Sequence, residues 1–257
     1  SVDYRSKRVA RRHHDGDRAA FTQVLEPAAH KGSQLMIDDM IDDRRIKAER
    51  ITDERGRDAI LEVLSATYQI EKGWIVDPAA QFPAADIQRQ DVAWFMVRLD
   101  GRPVGVLRTL YDPPIRQYAN YGLEPIDGRL DIESFLEHNR IAEVGRFAVV
   151  AEHRGNVLLA AALMRAATEE MVARGYTHVL TDVFEDDPHS PLGFHTRVTG
   201  FMPVATHDHG ELHCTSRRVT LVLDLKSSYL RLKARGNWVY RYLTAHWPDA
   251  LHRRLAA

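Results

Sequence analysis

The sequence of 257 residues contains a single cysteine, Cys214, no long apolar run and almost no net charge. One cysteine excludes an intramolecular disulfide and is typical of reducing compartments. No stretch approaches the roughly 20 apolar residues of a membrane-spanning helix, and the N-terminal segment lacks the apolar core of a secretory signal. We therefore expect a cytoplasmic protein. The formal net charge of -1 gives no overall attraction to nucleic acid or membrane.

Charge is distributed unevenly, and it divides the chain into three parts. The stretch from Asp17 to about Arg50 is charged but has helical periodicity, whereas the closing stretch carries no acid between Lys226 and Trp247. We expect a further helix over 227–246. The predicted parts are a basic arm with a helical extension at 1–50, a core domain at 51–225 and a basic helical extension at 226–257.

The core domain alternates between patterns typical of helices and of strands. Apolar residues recur at helical spacing from Asp53 until Gly73, and two apolar runs flank Asp100-Gly101, a hairpin signal. Strand, helix, strand, short helix and two strands follow, at 143–150, 157–174, 177–183, 191–198, 201–205 and 217–225. This order predicts an α+β fold: a mixed, mostly antiparallel central sheet flanked by helices, with extra helices at both ends.

A strand leads through a tight turn into a helix between Glu143 and Arg174. The first N–H groups of such a helix are unpaired and lie at the positive end of its dipole, so they bind phosphate readily. The turn also contains a cation and a glycine. We predict that it binds a cofactor phosphate through Arg154, Gly155, Asn156, Val157 and Leu158. Alone, the pattern is equally typical of a capped turn without a ligand.

Three segments carry a resemblance to a known superfamily. Val149–Leu158 looks like the cofactor-binding turn of the GCN5-related N-acetyltransferases (GNAT), and Phe194–Phe201 is similar to their helix that ends in Gly-Phe. Glu143–Val149 resembles the Glu-x-x-Arg-Phe-x-Val strand of two branches, the long-chain N-acyl amino acid synthases and the acyl-homoserine-lactone synthases. The resemblance covers roughly residues 55–225. It implies the GNAT fold and acyl transfer from a thioester to an amine.

Residues upstream extend the resemblance to the same two branches. Trp74, the acidic pair Asp77 and Asp86, and Gly105–Arg108 look like those branches' Trp, acids and Gly-x-x-Arg. We predict that Trp74 and Arg108 bind substrate. The planar guanidinium of Arg108 suits the carboxylate of an amino-acid acceptor, and an exposed strand arginine without such a role is the alternative.

The resemblance implies a donor carried on phosphopantetheine, either acyl-acyl carrier protein or acyl-coenzyme A, used as a co-substrate and not bound permanently. Relatives that use coenzyme A usually have small residues where this chain has Val157 and Leu159. Branched side chains there are expected to crowd a diphosphate, which favours acyl carrier protein. A turn that shifts outward and still binds coenzyme A is the alternative.

Aminolysis of a thioester needs a base and a stabilised oxyanion. On a regular strand one face would carry Glu143, Gly145, Phe147 and Val149, and the other would carry Arg146. We predict that Glu143 is the base, with a structural ion pair to a nearby arginine as the alternative. Arg146 is predicted to hold that carboxylate, a neighbouring acid or an acidic substrate. A backbone N–H near Phe147 or Val149 is predicted to polarise the thioester carbonyl.

The leaving thiolate also needs a proton. His195 stands where GNAT acetyltransferases usually carry a tyrosine as general acid. Because imidazole can protonate a thiolate near neutral pH, we predict this role for His195. A surface histidine is the alternative.

The remaining features point to partners or exclude them. His207, His209 and His213, with Asp208 and Glu211, follow no familiar zinc spacing, so no metal site is predicted. Cys214 has no evident activating partner. The basic C-terminal helix is either a solvated face, a dock for an acidic acyl carrier protein or a peripheral contact with anionic lipid. No motif for nucleic acid accompanies the charge, so no such partner is expected.

These observations predict an N-acyltransferase that moves a long-chain acyl group from an acyl carrier protein thioester to the amine of an amino acid or similar small molecule. Three alternatives stay open. They are an acetyl-coenzyme A-dependent acetyltransferase of a small amine or peptide, an acyl-homoserine-lactone synthase, and a non-catalytic acyl- or carrier-binding module of the same fold.

Overall fold

A computed structural model describes residues 31–126, 128 and 131–257. The chain divides into two compact units, residues 1–42 and 43–257. In the first unit the structure describes helix α1, Lys31–Ile41. The basic arm predicted at the start of the chain lies outside the described residues.

The second unit contains the predicted sheet and its helices. Its elements follow in this order: β1 Ile46–Arg50, α2 Glu54–Leu64 with a π-helical continuation Ser65–Glu71, α3 Pro78–Gln81, a 3₁₀-helix Ala84–Gln88, β2 Val92–Leu99, β3 Arg102–Tyr111, a 3₁₀-helix Ile115–Tyr121, β4 Glu124–Pro125, α4 Ile132–His138, β5 Ile141–Val149, a 3₁₀-helix Ala151–His153, α5 Val157–Ala173, β6 His178–Phe184, a π-helix Phe194–Thr199, β7 Met202–His207, β8 Arg218–Asp224, α6 Leu225–Arg235, α7 Trp238–Thr244 and α8 Asp249–Ala256.

The eight described strands form one sheet in the order β1-β2-β3-β5-β6-β8-β7-β4. Among these strands β5 and β6 are the one parallel pair, and the other neighbours are antiparallel. Helix α5 makes the crossover between the parallel strands. The predicted α+β class, with a mixed and mostly antiparallel GNAT-like sheet, is confirmed.

The predicted helix up to Arg50 is wrong at its end. Residues 46–50 form the edge strand β1, which pairs with β2. The sequence Lys-Ala-Glu-Arg consists of good helix formers, but hydrogen bonding to β2 outweighs that local preference. The proposed division into three parts stays a prediction.

Helix α2 covers one face of the β2–β3 half of the sheet. Its N-terminus is capped by Asp53, whose carboxylate accepts a hydrogen bond from the Gly56 N–H at 2.7 Å. Ile60 and Leu64 are fully buried and belong to one apolar cluster with Trp94 of β2. This apolar cluster holds α2 against the half of the sheet that contains β3 and its polar residues.

Strand β5 has two irregularities. Its pairing with β6 ends at Val144 opposite Thr181, and both strands then continue without pairing to each other. Arg146 has a positive φ of 49°, and the register with β3 shifts between Val106 and Arg108. A β-bulge therefore lies at Arg146, just where β5 and β6 separate.

The C-terminal extension is three helices and not the single helix predicted over 227–246. Helix α6 ends at Gly236, which has φ 59° and suits the left-handed cap, and Asn237 caps α7 by accepting from the Tyr240 N–H. Both α7 and α8 pack against α5, on the sheet face opposite α2. No helix of the described residues is long and apolar enough to span a bilayer.

Candidate active site

Polar side chains form a row across the face of the sheet that also carries Trp94. Opposed residues in a sheet share a face, and the register sets Arg108 opposite Gly145, Glu143 beside Leu180 and Asp182 opposite Thr220. Because side chains alternate along a strand, Glu143 joins Gly145, and Asp182 joins Leu180. The polar residues on this face include Arg108 of β3, Glu143 of β5, Asp182 of β6, Thr220 of β8 and His207 of β7. We call this set the polar row.

Glu143 lies in the centre of the polar row beside a guanidinium. The Oε1 of Glu143 is 3.6 Å from Nη2 of Arg108, and the two side chains are 16% and 10% exposed. A Cβ at Gly145 would stand 3.5 Å from the Glu143 carboxylate, which is an ordinary contact, so the glycine leaves room for no more than a small group there. The carboxylate is therefore mostly buried and paired with a cation. Arg108 is not the exposed strand arginine of the alternative prediction.

Arg146 reaches the same face as Glu143, which corrects the prediction from strict alternation. Its Nε donates to the Gln81 Oε1 at 2.8 Å, and its Nη2 donates to the Glu211 Oε2 at 2.9 Å. The bulge at Arg146 inverts the alternation from that residue onward. Ala148 accordingly packs with the apolar cluster around Trp94. Two guanidinium groups, from Arg108 and Arg146, thus lie on one side of the sheet.

The charges of the polar row and its neighbours affect the pKa values of two tyrosines. Burial raises the pKa of Tyr68 to about 12, and the positive charges of Arg146 and Arg108 oppose that rise. Burial also raises the pKa of Tyr121, and the charges of Glu211, Glu143 and Asp182 raise it further. Both guanidinium groups are therefore close to Tyr68, and three carboxylates are close to Tyr121.

Phe147 and His195 lie on the opposite face of the sheet. Their rings are 5.6 Å apart, and Phe194 and Phe201 surround the imidazole further. His195 is fully buried, neither ring nitrogen has a hydrogen-bond partner, and burial lowers its pKa to about 3. It is neither a surface histidine nor a group that can hold a proton near neutral pH. Its environment argues against the predicted role as general acid.

Asp182 and His207 form an ion pair at the far end of the polar row. The Nε2 of His207 is 3.2 Å from Oδ2 of Asp182, and the Thr220 hydroxyl donates to Oδ1 at 2.7 Å. The Nδ1 of His207 is 2.7 Å from the His209 carbonyl oxygen. Burial alone would lower the pKa of His207, but Asp182 and this carbonyl raise it on balance.

Trp74 forms part of the wall above the polar row. Its ring contacts those of Tyr68 and Phe184, with centroids 5.5 and 4.5 Å away. Its carbonyl accepts a hydrogen bond from the His213 N–H at 2.8 Å, which attaches the loop between β7 and β8. This loop also supplies Glu211. Asp77 and Asp86 have local roles instead, since Asp77 caps α3 and Asp86 pairs with Arg89 at 3.2 Å.

The predicted phosphate turn lies at the end of β5. Arg154 donates two hydrogen bonds to the carboxylate of Glu71, at 2.9 and 2.7 Å, and one to the Val149 carbonyl at 3.2 Å. The Asn156 side chain caps α5 by accepting from the Leu158 N–H at 3.1 Å. Gly155 is exposed, and a Cβ there would meet nothing within 4 Å. The guanidinium predicted to bind phosphate is thus occupied by a carboxylate.

One argument from the turn is wrong. Leu159 is fully buried in the core and points away from the turn, so it cannot crowd a diphosphate. Val157 is half-buried at the first position of α5. The expected discrimination against coenzyme A therefore depends on Val157 alone.

Backbone orientation at Val149 fits the predicted oxyanion donor. The Val150 N–H donates to the Val104 carbonyl of β3 at 2.9 Å. In an antiparallel pair successive residues point their N–H groups to opposite sides, so the Val149 N–H points away from β3. That is the side on which β6 has separated from β5.

Sequence reasoning missed Asp182 and Tyr121, and weighed His207 and Glu211 only as metal ligands. Asp182 does have a signal, because it is an acid inside the mostly apolar strand β6. Within the described part of the chain, no three His, Cys, Asp or Glu residues come together as a metal site.

The sequence model of the acetyltransferase (GNAT) family matches residues 57–201. FeeM, an N-acyl amino acid synthase from uncultured soil microbes, has a similar structure, with a TM-score of 0.54 and 16% identity over 75% of this chain and 98% of FeeM. The ribosomal-protein-S18-alanine N-acetyltransferase of Escherichia coli has a TM-score of 0.47 and 11% identity, over 70% of this chain and 94% of that enzyme. At such identities these likenesses concern the fold alone. No curated protein sequence is significantly similar to this chain.

Proposed function

This chain belongs to the GNAT acetyltransferase family and is an N-acyltransferase, and we propose that it joins a long-chain acyl group to the amine of an amino acid. The observation that supports this is the meeting of Glu143, Arg108 and Arg146 on one sheet face where β5 and β6 separate. A carboxylate there can accept a proton from an amine. Two guanidinium groups beside it suit an acceptor that also carries a carboxylate.

The proposed reaction is direct aminolysis. Glu143 takes a proton from the acceptor ammonium, directly or through one water. The free amine attacks the thioester carbonyl and forms the C–N bond of a tetrahedral intermediate. The attacking nitrogen then releases its second proton to solvent, and the intermediate collapses as the C–S bond breaks. The Val149 N–H is the proposed donor to the oxyanion. The proton that Glu143 has taken up is available to the departing thiolate, so His195 has no role in this scheme.

Acceptor orientation follows from the charges of the site. Arg108 already holds Glu143 at 3.6 Å, so it is the less available of the two cations. Arg146 pairs with Glu211, whose side chain is 59% exposed and lies on a loop. We assign the acceptor carboxylate to Arg146, where it replaces Glu211. An acceptor without a carboxylate would leave Arg146 with its internal partner.

The proposed donor is an acyl-phosphopantetheine on acyl carrier protein. Arg154 and the start of α5 would hold the phosphate. Exposed cations of the C-terminal helices, which suit an acidic carrier, support the choice of carrier protein over coenzyme A. They are Lys226, Lys233, Arg235, Arg253 and Arg254. Contact of this surface with anionic lipid remains a separate prediction.

The test compares donors and acceptors in one assay. Purified protein is incubated with octanoyl, dodecanoyl and hexadecanoyl thioesters of acyl carrier protein or of coenzyme A, and with the twenty amino acids. Mass spectrometry detects N-acyl products. We expect an N-acyl amino acid, formed faster from the carrier protein. Strong preference for acetyl-coenzyme A, or acylation of amines that lack a carboxylate, would contradict the proposal and favour an acetyltransferase of small amines.

A further inference from the structure

Asp182 occupies the position next to the last bridge between β5 and β6. That bridge joins Val144 and Thr181, and continuation of the ladder would set Asp182 beside Gly145. Gly145 has no side chain, so no Cβ separates the two positions on the face that carries Glu143. Glu143 and Asp182 are therefore both neighbours of Gly145 on this face, one along β5 and the other on β6.

The orientation of Asp182 is fixed from behind. The Thr220 hydroxyl donates to Oδ1 at 2.7 Å, and the His207 Nε2 lies 3.2 Å from Oδ2. The other ring nitrogen of His207 faces the His209 carbonyl at 2.7 Å. Each ring nitrogen of His207 thus has an oxygen atom within 3.2 Å.

The exposure of the pair is unequal. The His207 side chain is 1% exposed, whereas that of Asp182 is 25% exposed. The imidazole is closed off from solvent, and the carboxylate retains an accessible edge. A pair with only a structural role has no need of this open edge, which can accept a further hydrogen bond.

We propose that Asp182 is a second carboxylate of the acceptor site, which binds the acceptor's ammonium group beside Glu143, and that His207 is the positioning residue that holds it. This inference rests on the proposed function. An ammonium group has three N–H donors, so Asp182 and Glu143 can each accept one. It also relieves the repulsion between two carboxylates on neighbouring strands. Asp182 keeps its hydrogen bond while Glu143 takes the proton.

The kinetic test uses Asp182→Asn, which keeps the shape of the side chain and removes its charge. We expect the KM for the best amino-acid acceptor to rise roughly tenfold, as for the loss of one charge-assisted hydrogen bond, while the KM for the donor stays within about twofold. Asp186→Asn is the matched control, because it removes the same charge from the exposed loop after β6. An acceptor KM unchanged in Asp182→Asn, or donor and acceptor KM values that rise together, would overturn the proposal.

Positioning by His207 has its own readout. His207→Gln keeps a donor towards Asp182 but not the charge, so the acceptor KM should rise less than in Asp182→Asn, with kcat little changed. Thr220→Val removes only the hydrogen bond from the Thr220 hydroxyl to Asp182. This variant replaces Asp182→Asn in the test if Asp182→Asn does not fold. If kcat falls and the acceptor KM stays constant in His207→Gln and in Thr220→Val, a role in acceptor binding is contradicted.

A binding measurement separates this proposal from the proposed function. Glycine without any thioester keeps a carboxylate and an ammonium group with three N–H donors, and it cannot be acylated under these conditions. By calorimetry it should bind the wild type and Asp186→Asn equally, and Asp182→Asn roughly tenfold more weakly. Equal binding to all three proteins, or none to the wild type, would refute the second carboxylate. A wild type that binds glycine but acylates no amino acid when the thioesters are supplied would instead refute the proposed function.

Discussion

The polar row and the phosphate turn are held by different means. The residues of the polar row sit on strands, and the side chains of Glu143, Arg108 and His207 are at most 16% exposed, whereas that of Asp182 is 25% exposed. Arg154 belongs to a turn, its side chain is 24% exposed, and its partner Glu71 comes from the separate π-helix before α3. Strand register fixes the polar row, whereas one solvent-accessible ion pair occupies the turn.

This difference indicates two ways of binding substrate. The polar row has its charges in place before the acceptor arrives, so little reorganisation accompanies proton transfer. The turn must exchange Glu71 for the donor phosphate. Accessible ion pairs contribute about 0–1 kcal/mol, so this exchange is inexpensive. Rigid acceptor binding and exchangeable donor binding should respond differently to substitution.

Apart from loss of the Glu143 carboxylate itself, the largest effect is expected from a branched side chain at Gly145. In Gly145→Ala the added Cβ would stand 3.5 Å from the Glu143 Oε1 and 3.6 Å from the Arg108 Nη2, which are ordinary contacts. Gly145→Val adds two methyl groups and should push these side chains apart. We expect turnover to fall about 100-fold in Gly145→Val, as for a displacement of roughly 1 Å, and much less in Gly145→Ala. Equal turnover of both variants and the wild type would show that the row is not preorganised.

The opposite face of β5 supplies a second test, with an effect on stability alone. Replacing His195 by Phe removes a buried imidazole without a partner and keeps the surrounding ring contacts. Because an unsatisfied buried group costs about 1–3 kcal/mol, we expect an unchanged or higher free energy of unfolding and unchanged turnover. A large loss of turnover in a folded His195→Phe would restore the general-acid role.

The same variant has a defined pH dependence. Burial lowers the pKa of His195 to about 3, so the folded protein keeps it neutral while the unfolded chain binds a proton below its ordinary pKa of about 6.5. The resulting stability is present above about pH 6.5 and is lost as the pH falls towards 3. At pH 5 the wild type should have lost up to about 2 kcal/mol relative to His195→Phe. The exposed His246→Phe is the control and should behave like the wild type.

The smallest effect concerns the turn. Glu71→Gln removes the carboxylate that holds Arg154, so the KM for the donor should fall up to about fivefold, in line with an ion pair of at most about 1 kcal/mol. Arg154→Met should raise the KM for the donor. Glu152→Gln is the control, since Glu152 contacts His153 and not Arg154. A donor KM that rises in Glu71→Gln would show that Glu71 supports the turn and does not compete with phosphate.

The sequence predicts those parts of the fold that local pattern decides. The hairpin at Asp100-Gly101 forms as expected, because both residues adopt the positive φ, 50° and 81°, that a tight hairpin turn requires. The strand-turn-helix from Glu143 to Arg174 is also local in sequence. Residues 46–50 were open to error because their helix propensity is outweighed by pairing with a strand some 45 residues later in the chain.

The site is less predictable, since it depends on register and on one bulge. Alternation places Phe147 with Glu143, but the positive φ of Arg146 exchanges the faces, and an arginine gives no sequence signal for it. The contact of Asp182 with His207 crosses the intervening strand β8, so no spacing along the chain reveals it.

The most direct measurement compares turnover and donor binding in Glu143→Gln. We expect kcat to fall about 100- to 10,000-fold, as for removal of a general base. The dissociation constant of the acyl carrier protein thioester should stay within about twofold. Loss of donor binding in parallel with turnover would contradict the separation of the polar row from the phosphate turn. Full turnover of a folded Glu143→Gln would show that this carboxylate does not take the proton from the amine.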